Sequence, residues 1–361
     1  MESIKKASNF LNDYNFSRSK FLEVIKELTS HHIKYCPEYK SIVNKIFSIN
    51  LEISQIKSIE DIPYIPVNIF KKYDLKSIND LDIFKILKSS GTTGQRPSKI
   101  FLDKTNVKSQ SFALSKIFND FTGLKRPRII IIDNPELLKL SSIFSARSAG
   151  IRGFSSLCRK PIFALDEDMK VNLKLIEETL MEHDENFILY GFTYIIWLHF
   201  LKIKFPKRIR DLLAEKATLI HGGGWKKLKD LKISKELFKK EIKLKIGIEK
   251  IYDYYGMVEQ TGSIFMECSH GFLHTNPLAE VISRSQNDLK NIATKNVGLA
   301  QVISCLPTSY PGHSILTDDL IKIHGVDNCK CGRKGKYFEI LGRLEIAEPR
   351  GCSDTYESPK S

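Results

Sequence analysis

The sequence lacks any run of about 18 apolar residues, which is the length that a membrane-spanning helix requires. Its first residues, MESIKKASNFLNDYNF, also lack the apolar core of a secretory signal. We therefore expect no membrane span and a cytoplasmic location. A chain of 361 residues is long enough for one large domain or for two or three subdomains.

The sequence also lacks the even number of cysteines that is typical of a disulfide-bonded framework. The chain has seven cysteines, and an odd number in a large chain without a secretion signal indicates free thiols. The formal net charge of +14 raises nucleic acid as a partner. The lysines are spread along the whole chain, however, and no arginine-rich arm or zinc-finger helix accompanies them. We expect no nucleic-acid partner, and we interpret the charge as a solvated lysine-rich surface. An acidic partner or a membrane surface stays open as the alternative.

The sequence has no Walker phosphate loop, although residues 88–99, KSSGTTGQRPSK, have the composition of a phosphate-binding segment. A Walker loop needs four residues between its two glycines, whereas only two residues separate Gly91 from Gly94. Glycines still let backbone N–H groups approach a phosphate closely, and hydroxyl groups add donors. A strand on either side would make the segment a hairpin-like loop over a nucleotide. A plain polar turn is the alternative.

The apolar pattern divides the chain into a helical part, an α/β core, a β-rich part and a tail. The first part has helical spacing that is interrupted at Cys36-Pro37. The core alternates strand and helix patterns, which indicates a mostly parallel sheet, and one helix is predicted to begin near Thr105 with Thr or Asn as its cap. The later strands are short and separated by turn residues, as in an antiparallel sheet or a small barrel. The four predicted segments are residues 1–60, 61–250, 251–345 and 346–361, the last of which carries Cys352.

Four further motifs offer groups suited to a nucleotide and its metal ion. HGGGW follows a buried-strand pattern, so its glycines lie at the carboxyl end of a strand, where ligands bind in parallel sheets. YDYYGMVEQTG offers an aromatic face for a base and Glu259 as a ligand for Mg²⁺, with a strand-end turn as the alternative. LTDDL offers carboxylates for ribose hydroxyls, and LGRLEIAEPRG adds Arg343.

In this order the motifs resemble those of the adenylate-forming superfamily of acyl-CoA synthetases, luciferases and peptide-synthetase adenylation domains. The resemblance implies a large α/β domain, made of two α/β subdomains and a β-rich subdomain, and it implies ATP and Mg²⁺ as cofactors. The phosphate signature and its trailing lysine correspond to Ser89, Ser90, Gly91, Thr92, Thr93, Gly94 and Lys99. The segment that lines the adenine pocket corresponds to Gly222, Gly223 and Gly224, and the aromatic residue against adenine corresponds to Tyr255. The magnesium ligand corresponds to Glu259, the ribose ligand to Asp319 and the hinge arginine to Arg343. Val258 stands where the superfamily usually has Thr, and Thr261 is the candidate replacement.

The motifs most resemble one branch of the superfamily, in which the usual C-terminal lid domain is absent, so we expect no lid domain here. This branch is the LuxE-type acyl-protein synthetases, the ligase component of the fatty-acid reductase in bacterial luminescence. IPYIPVNIFKK, HGGGWKKL, YGMVEQTGSIFMEC, LPTSYPGHSILT and CKCGRKGKYFEILGR all resemble that family. The resemblance implies that a carboxylic acid, in particular a fatty acid, is activated as acyl-AMP with the help of Lys99 and Glu259. It further implies that Cys352 receives the acyl group as a thioester and delivers it to a partner such as an acyl reductase.

Two other functions stay open at this point. An acyl- or aryl-CoA ligase would share every nucleotide motif and would differ only in using coenzyme A as the acceptor. A non-catalytic nucleotide-binding component of a biosynthetic locus would bind ATP but would show no pyrophosphate exchange with any acid. We place none of His183, His221 and His313 in a catalytic role, because a turn or surface histidine with satisfied hydrogen bonds explains each of them.

A structural zinc site is a separate prediction. Cys268, His274, Cys329 and Cys331 would supply three thiolates and an imidazole, which suit a closed tetrahedral site. Phenylacetate-CoA ligase relatives, which this region resembles, include zinc-binding members. The Cys-x-Cys spacing is tighter than usual, and His270 is an alternative to His274. Unligated thiols in a lysine-rich loop remain the alternative.

Overall fold

The chain folds as a mixed α/β protein, as predicted. The computed structural model describes residues 10, 14–15, 17–47, 53–89, 96–139, 146–223, 233–293 and 296–344. Contacts within the chain group it into two compact units, of which unit 1 comprises residues 1–117 and 256–348, and unit 2 comprises residues 118–255 and 349–361. The predicted helical and β-rich segments therefore both contribute to unit 1. None of the helices in the described part combines the length and hydrophobicity that a membrane span requires.

The described residues form the following regular elements. The strands are β1 (Ile65–Pro66), β2 (Lys85–Lys88), β3 (Lys99–Leu102), β4 (Arg128–Ile132), β5 (Arg159–Phe163), β6 (Phe187–Phe192), β7 (Ala217–Gly222), β8 (Ile251–Tyr255), β9 (Phe265–Met266), β10 (Leu273–His274), β11 (Ala279–Arg284), β12 (Val297–Ser304), β13 (Ser314–Val326) and β14 (Lys336–Arg343). The α-helices are α1 (Arg18–Tyr35), α2 (Pro37–Phe47), α3 (Ile69–Lys72), α4 (Lys104–Thr122), α5 (Glu136–Lys139), α6 (Ala146–Leu157), α7 (Leu173–Glu182), α8 (Thr193–Ile195), α9 (Lys207–Lys216) and α10 (Lys235–Ile246).

Unit 1 is built on an antiparallel sheet. Its strands are neighbours in the order β10, β14, β13, β12, β11, and β1 pairs in parallel with β13. The antiparallel sheet predicted for the later part of the chain is thus confirmed. Helix α1 contributes a buried stripe at helical spacing, including Phe21, Ile25 and Leu28, to one apolar cluster with Ile282 of β11 and Ile303 of β12. The predicted break at Cys36-Pro37 is also confirmed, since α1 ends at Tyr35 and α2 begins at Pro37.

Unit 2 is built on a parallel sheet with strands in the order β5, β4, β6, β7, β8. Strands β6 and β7 are buried along their whole length, which confirms the interpretation of their apolar runs. Strand β5 was not predicted, because RKPIF is half polar and contains a proline, as an edge strand can. Helix α7 begins at Leu173, because the side chain of Asn172 accepts a hydrogen bond from the Leu175 N–H and caps the first turn.

The predicted cap of helix α4 is wrong. The helix begins at Lys104, and Asp103 Oδ1 accepts the Asn106 N–H at 2.6 Å. A carboxylate satisfies a free N–H of the first turn and complements the positive end of the helix, so Asp103 serves as the cap. Asn106 instead points its amide into the interior, where Nδ2 donates to Leu306 O at 2.8 Å.

Three buried histidines join helix α1 to the β12–β13 connection, the name used here for residues 305–313. His32 Nδ1 lies 2.7 Å from Ser77 Oγ, and its ring stacks on that of His313 at 4.8 Å between centroids. His313 Nε2 lies 3.0 Å from Thr29 Oγ1. Burial lowers the pKa of His31 and His32, and it lowers that of His313 to about 3. Burial therefore keeps these imidazoles neutral. His313 lies in a connection between strands, as a turn histidine would, but it is fully buried and its Nδ1 has no hydrogen-bond partner among the described residues.

We expect acid to destabilise unit 1 through these histidines. Their pKa values are depressed in the folded state, so the unfolded chain binds more protons once the pH falls below about 6.5. Stability is thus fully present above that pH and is lost as the pH falls toward the folded values. Urea unfolding between about pH 7.5 and 5 should show the loss, with a limiting slope of about 1.4 kcal/mol per pH unit for each histidine.

The variant His313→Gln should lose stability at neutral pH but should decline less steeply with acid. The control is His183→Gln in unit 2, where the side chain is 29% exposed, and it should leave the slope unchanged. An unchanged slope in His313→Gln would contradict the assignment.

Candidate functional site

The predicted phosphate loop joins the two strands of a hairpin. Strands β2 and β3 pair antiparallel, with Lys88 opposite Lys99. At the last described position before the loop, Ser89 N donates to Ser98 O at 3.1 Å and Ser98 N donates to Ser89 Oγ at 2.9 Å. The flanking strands thus confirm the hairpin prediction. The residues of the loop itself lie outside the described residues, and these are Ser90, Gly91, Thr92, Thr93 and Gly94.

Lys99 begins strand β3 directly beyond this loop. Its Nζ lies 3.2 Å from Asp74 Oδ2, and Arg96 Nη2 donates to Asp74 Oδ1 at 2.6 Å. One carboxylate therefore holds two cations beside the predicted phosphate loop. The Asp74 side chain is 38% exposed, so solvent screens the pairs and makes them weak. Lys99 can consequently exchange Asp74 for a phosphate oxygen at little cost.

Glu259 lies in a 3₁₀ turn, Val258–Gln260, and is only 5% exposed. Its backbone carbonyl accepts a hydrogen bond from the Tyr310 hydroxyl at 2.9 Å. Thr261, the candidate replacement for the missing threonine, donates its hydroxyl to Val258 O at 2.8 Å and so stabilises the same turn. The turn fixes the direction in which the Glu259 carboxylate leaves the backbone.

Asp319 and Arg343 come from two separate motifs, and the structure brings them together. Strands β13 and β14 pair with these two residues opposite each other, and Arg343 Nε donates to Asp319 Oδ1 at 2.9 Å. The Asp319 N–H donates to Thr317 Oγ1 at 3.1 Å, and Thr317 Oγ1 donates to Ala300 O at 3.0 Å. The carboxylate is thus held from its backbone and its side chain, as a group that receives ribose hydroxyls must be.

The remaining predicted nucleotide residues belong to unit 2. Gly222 ends strand β7, which confirms the predicted place of the glycines at the carboxyl end of a strand. A Cβ at Gly222 would lie 2.3 Å from the Tyr254 ring, and one at Gly223, where φ is +101°, would lie 2.9 Å from the Phe192 ring. Packing against aromatic rings therefore already requires both glycines. Tyr255 ends strand β8, and Gly224 lies outside the described residues.

The four predicted zinc ligands meet in unit 1. The ligand atoms of Cys268, His274, Cys329 and Cys331 all lie within 4.8 Å of one another. His274 is fully buried in β10, whereas His270, the alternative ligand, is exposed. The two cysteines of the Cys-x-Cys pair lie in the turn that connects β13 to β14, so the group joins residues that are distant in sequence.

Interactions within this group of four residues shift the pKa values of its cysteines. Burial opposes ionisation of the Cys268 thiol, but hydrogen bonds from His274 and from backbone N–H groups together lower its pKa. Burial and the neighbouring thiols raise the pKa of Cys331 to about 12. His274 Nε2 lies 3.4 Å from Cys331 Sγ, and its buried Nδ1 has no hydrogen-bond partner among the described residues. A donor set of three sulfurs and one nitrogen at this spacing fits a tetrahedral Zn²⁺ ion.

The other described cysteines are buried as isolated thiols. Burial raises the pKa of Cys36 to about 11, and it raises those of Cys158 and Cys305 to about 12. The thiolate is the nucleophilic form of cysteine, so these three side chains are unreactive near neutral pH.

Comparison with known proteins connects this geometry to a family. The model of the family described as acyl-protein synthetase, LuxE, matches residues 12–359. The chain belongs to the LuxE family. The long-chain-fatty-acid–luciferin-component ligase of Aliivibrio fischeri is 22% identical over 354 residues, covering 94% of this chain and 89% of the relative. The protein of that name from Vibrio harveyi is 23% identical over 353 residues, covering 92% and 88%.

A solved structure shows the same fold. A 2-hydroxyisobutyryl-CoA ligase, described in an open conformation with an adenylate and CoA, superposes with a TM-score of 0.68 at 16% identity. The match covers 91% of this chain and 75% of that one. The predicted adenylate-forming fold is thus confirmed, and this LuxE family member is an enzyme of the ligase class.

The aromatic packing around Gly222 generates a test. The variant Gly222→Ala should lower the free energy of unfolding by about 1–3 kcal/mol, because its Cβ would overlap the Tyr254 ring. The same substitution in a Tyr254→Leu background should cost much less, since the smaller side chain vacates the contact. Equal costs in the two backgrounds, measured by urea unfolding, would show that Gly222 is required for another reason.

Proposed function

We propose that this LuxE family member activates a carboxylic acid with ATP and passes the acyl group to Cys352. The family supports acyl transfer to protein, and the fold supports formation of an adenylate. Both curated relatives are named for a long-chain fatty acid, so a long-chain fatty acid is the proposed substrate. An acyl reductase is the proposed partner that receives the acyl group.

The first step joins the acid to AMP. A carboxylate oxygen attacks the α-phosphorus of ATP, the bond to pyrophosphate breaks, and acyl-AMP remains. Charge on the phosphates must be neutralised for this attack, which is the proposed role of Lys99 and of the phosphate loop. Glu259 would hold Mg²⁺, which supplies further neutralising charge when bound. Asp319, held beside Arg343, accepts hydrogen bonds from the ribose, and the adenine contacts of Gly222, Gly223, Gly224 and Tyr255 stay predictions.

The second step moves the acyl group to sulfur. The Cys352 thiol loses its proton to solvent, and its thiolate attacks the acyl carbonyl carbon. AMP leaves with the electron pair of the acyl–oxygen bond, and a thioester remains. A thioester keeps the acyl group activated, so a reductase can receive it without further ATP.

The environment of the other thiols is the observation that carries this assignment. Cys36, Cys158 and Cys305 are buried with raised pKa values, and they cannot present a thiolate. The remaining three described cysteines all belong to the four-ligand group of unit 1. Cys352, which lies outside the described residues, is thus the one cysteine of the sequence that neither environment accounts for.

The acceptor is tested with Cys352→Ser, incubated with ATP and a labelled long-chain fatty acid. We expect label that hydroxylamine releases to disappear from the protein, while ATP–pyrophosphate exchange continues. The matched control is Cys158→Ser, which should keep its label. Label that persists in Cys352→Ser would overturn the acceptor, and acyl-CoA formed on addition of coenzyme A would favour a CoA ligase instead.

We also propose that Cys268, His274, Cys329 and Cys331 bind Zn²⁺. The four atoms converge in a largely buried place, and a cation there would replace thiol protons that burial otherwise keeps bound. Such an ion would tie β10 to the turn between β13 and β14, and it would serve a structural role because four protein ligands leave no open position.

The zinc proposal predicts about one zinc ion per chain in protein purified without chelators. The double variant Cys329→Ser/Cys331→Ser should lose the metal and should melt at a lower temperature. The control Cys305→Ser removes a buried thiol elsewhere in unit 1, so it should retain the metal. Folded wild-type protein without zinc would show that the group consists of unligated thiols.

A further inference from the structure

The β12–β13 connection is hydrogen-bonded to both the backbone and a side chain of the turn that carries Glu259. From the connection, the Tyr310 hydroxyl donates to Glu259 O at 2.9 Å. From the turn, Gln260 Nε2 donates to Gly312 O at 2.9 Å and to Val302 O at 3.0 Å. Tyr310 is fully buried and Gln260 is 2% exposed, so water does not compete for these hydrogen bonds.

The close approach of the connection to the Glu259 turn requires a glycine at position 312. A Cβ at Gly312 would lie 2.2 Å from the Tyr310 ring and 2.8 Å from Glu259 O. No side chain fits between them, so Gly312 is what allows the hydroxyl to reach the carbonyl. The Tyr310 ring is held in turn by an edge contact with Phe70 at 6.2 Å between centroids.

The connection is itself anchored to the strand that follows the phosphate loop. Ser309 Oγ donates to Phe101 O of β3 at 2.8 Å and lies 2.7 Å from Asn106 Oδ1. Asn106 Nδ2 donates to Leu306 O at the other end of the connection. The connection therefore cannot shift without breaking buried hydrogen bonds to β3, whose first residue is Lys99.

A ligand of Mg²⁺ must hold its oxygen close to octahedral geometry, because the small ion tolerates little distortion. The Glu259 carboxylate would offer its oxygen to such an ion in a constant direction only if its backbone were fixed, and the Tyr310 hydroxyl donates a hydrogen bond that holds this backbone. We propose that Tyr310 is a positioning residue for Glu259 and sets the magnesium requirement of the reaction. This inference rests on the proposed function, in which Glu259 holds Mg²⁺.

The test is the magnesium dependence of ATP–pyrophosphate exchange, measured with a long-chain fatty acid. Tyr310→Phe keeps the ring and removes the donor, which leaves a buried carbonyl unpaired. We expect the half-saturating Mg²⁺ concentration to rise about five- to tenfold, with the KM for the acid unchanged. Glu259→Gln should raise it further, because a charged oxygen ligand is lost.

Tyr39→Phe is the matched control. Tyr39 is also fully buried in unit 1, and its hydroxyl lies 3.4 Å from His313 Nε2 and not from the Glu259 carbonyl. Its loss should lower the melting temperature but leave the magnesium requirement as in the wild type. Should Tyr310→Phe fail to fold, Gln260→Met removes the two hydrogen bonds that the Gln260 side chain donates to Gly312 O and Val302 O, and it should raise the requirement likewise.

The outcomes separate this inference from the proposed function. Normal exchange with the same magnesium requirement in Tyr310→Phe and Tyr39→Phe would overturn the positioning role and leave the proposed function standing. Wild-type protein that exchanges no pyrophosphate with any carboxylic acid would overturn the proposed function and the positioning role together.

Discussion

The organisation of unit 1 follows from one constraint: the β12–β13 connection is buried along its whole length, yet it has no ladder of its own to satisfy its backbone. Buried N–H and C=O groups without partners are costly, so the surrounding elements must supply them. His31 and His32 reach Thr308 O and Pro307 O from helix α1. Asn106 reaches Leu306 O from helix α4. These side chains together supply partners for three buried carbonyl groups of the connection.

The same constraint determines how the candidate site is held. Because the buried connection needs hydrogen-bond partners from its surroundings, it contacts the elements that carry the predicted catalytic groups of unit 1, Lys99 and Glu259. It holds the Glu259 turn through Tyr310, and β3, with Lys99, through Ser309. It then continues directly into β13, which carries Asp319. The groups proposed to bind magnesium, phosphate and ribose therefore share one hydrogen-bonded support, which would help to keep their relative positions.

The sequence predicted what depends on local pattern. The strands flanking the phosphate loop, the glycine at the carboxyl end of β7 and the helix break at Cys36-Pro37 all depend on residues close together in the chain, and all are confirmed. Residue type and order also predicted the four proposed zinc ligands, and the structure brings their ligand atoms together, with His274 rather than the exposed His270 among them.

What the sequence could not show depends on register and on distant contacts. Asp319 and Arg343 lie in separate motifs, and only the pairing of β13 with β14 places them opposite each other. Tyr310 is one aromatic residue among many, and nothing local marks its hydrogen bond to the Glu259 backbone. Asp103 was overlooked as a cap because the neighbouring Thr105 and Asn106 are also good caps.

Histidine is suited to pairing with the buried carbonyl groups of the β12–β13 connection, because its side chain can be buried in a neutral form. A neutral imidazole offers one donor and one acceptor, so it can pair with a backbone carbonyl on one side and a hydroxyl on the other, as His32 does. A lysine in its place would bury a charge, and an aliphatic residue would leave the carbonyl of the connection unpaired. Burial keeps these imidazoles neutral in the fold below the usual pKa of histidine, near 6.5, but the unfolded chain binds protons there, so acid favours unfolding. Because the connection also holds the Glu259 turn, unfolding of unit 1 in acid would release the proposed magnesium ligand as well.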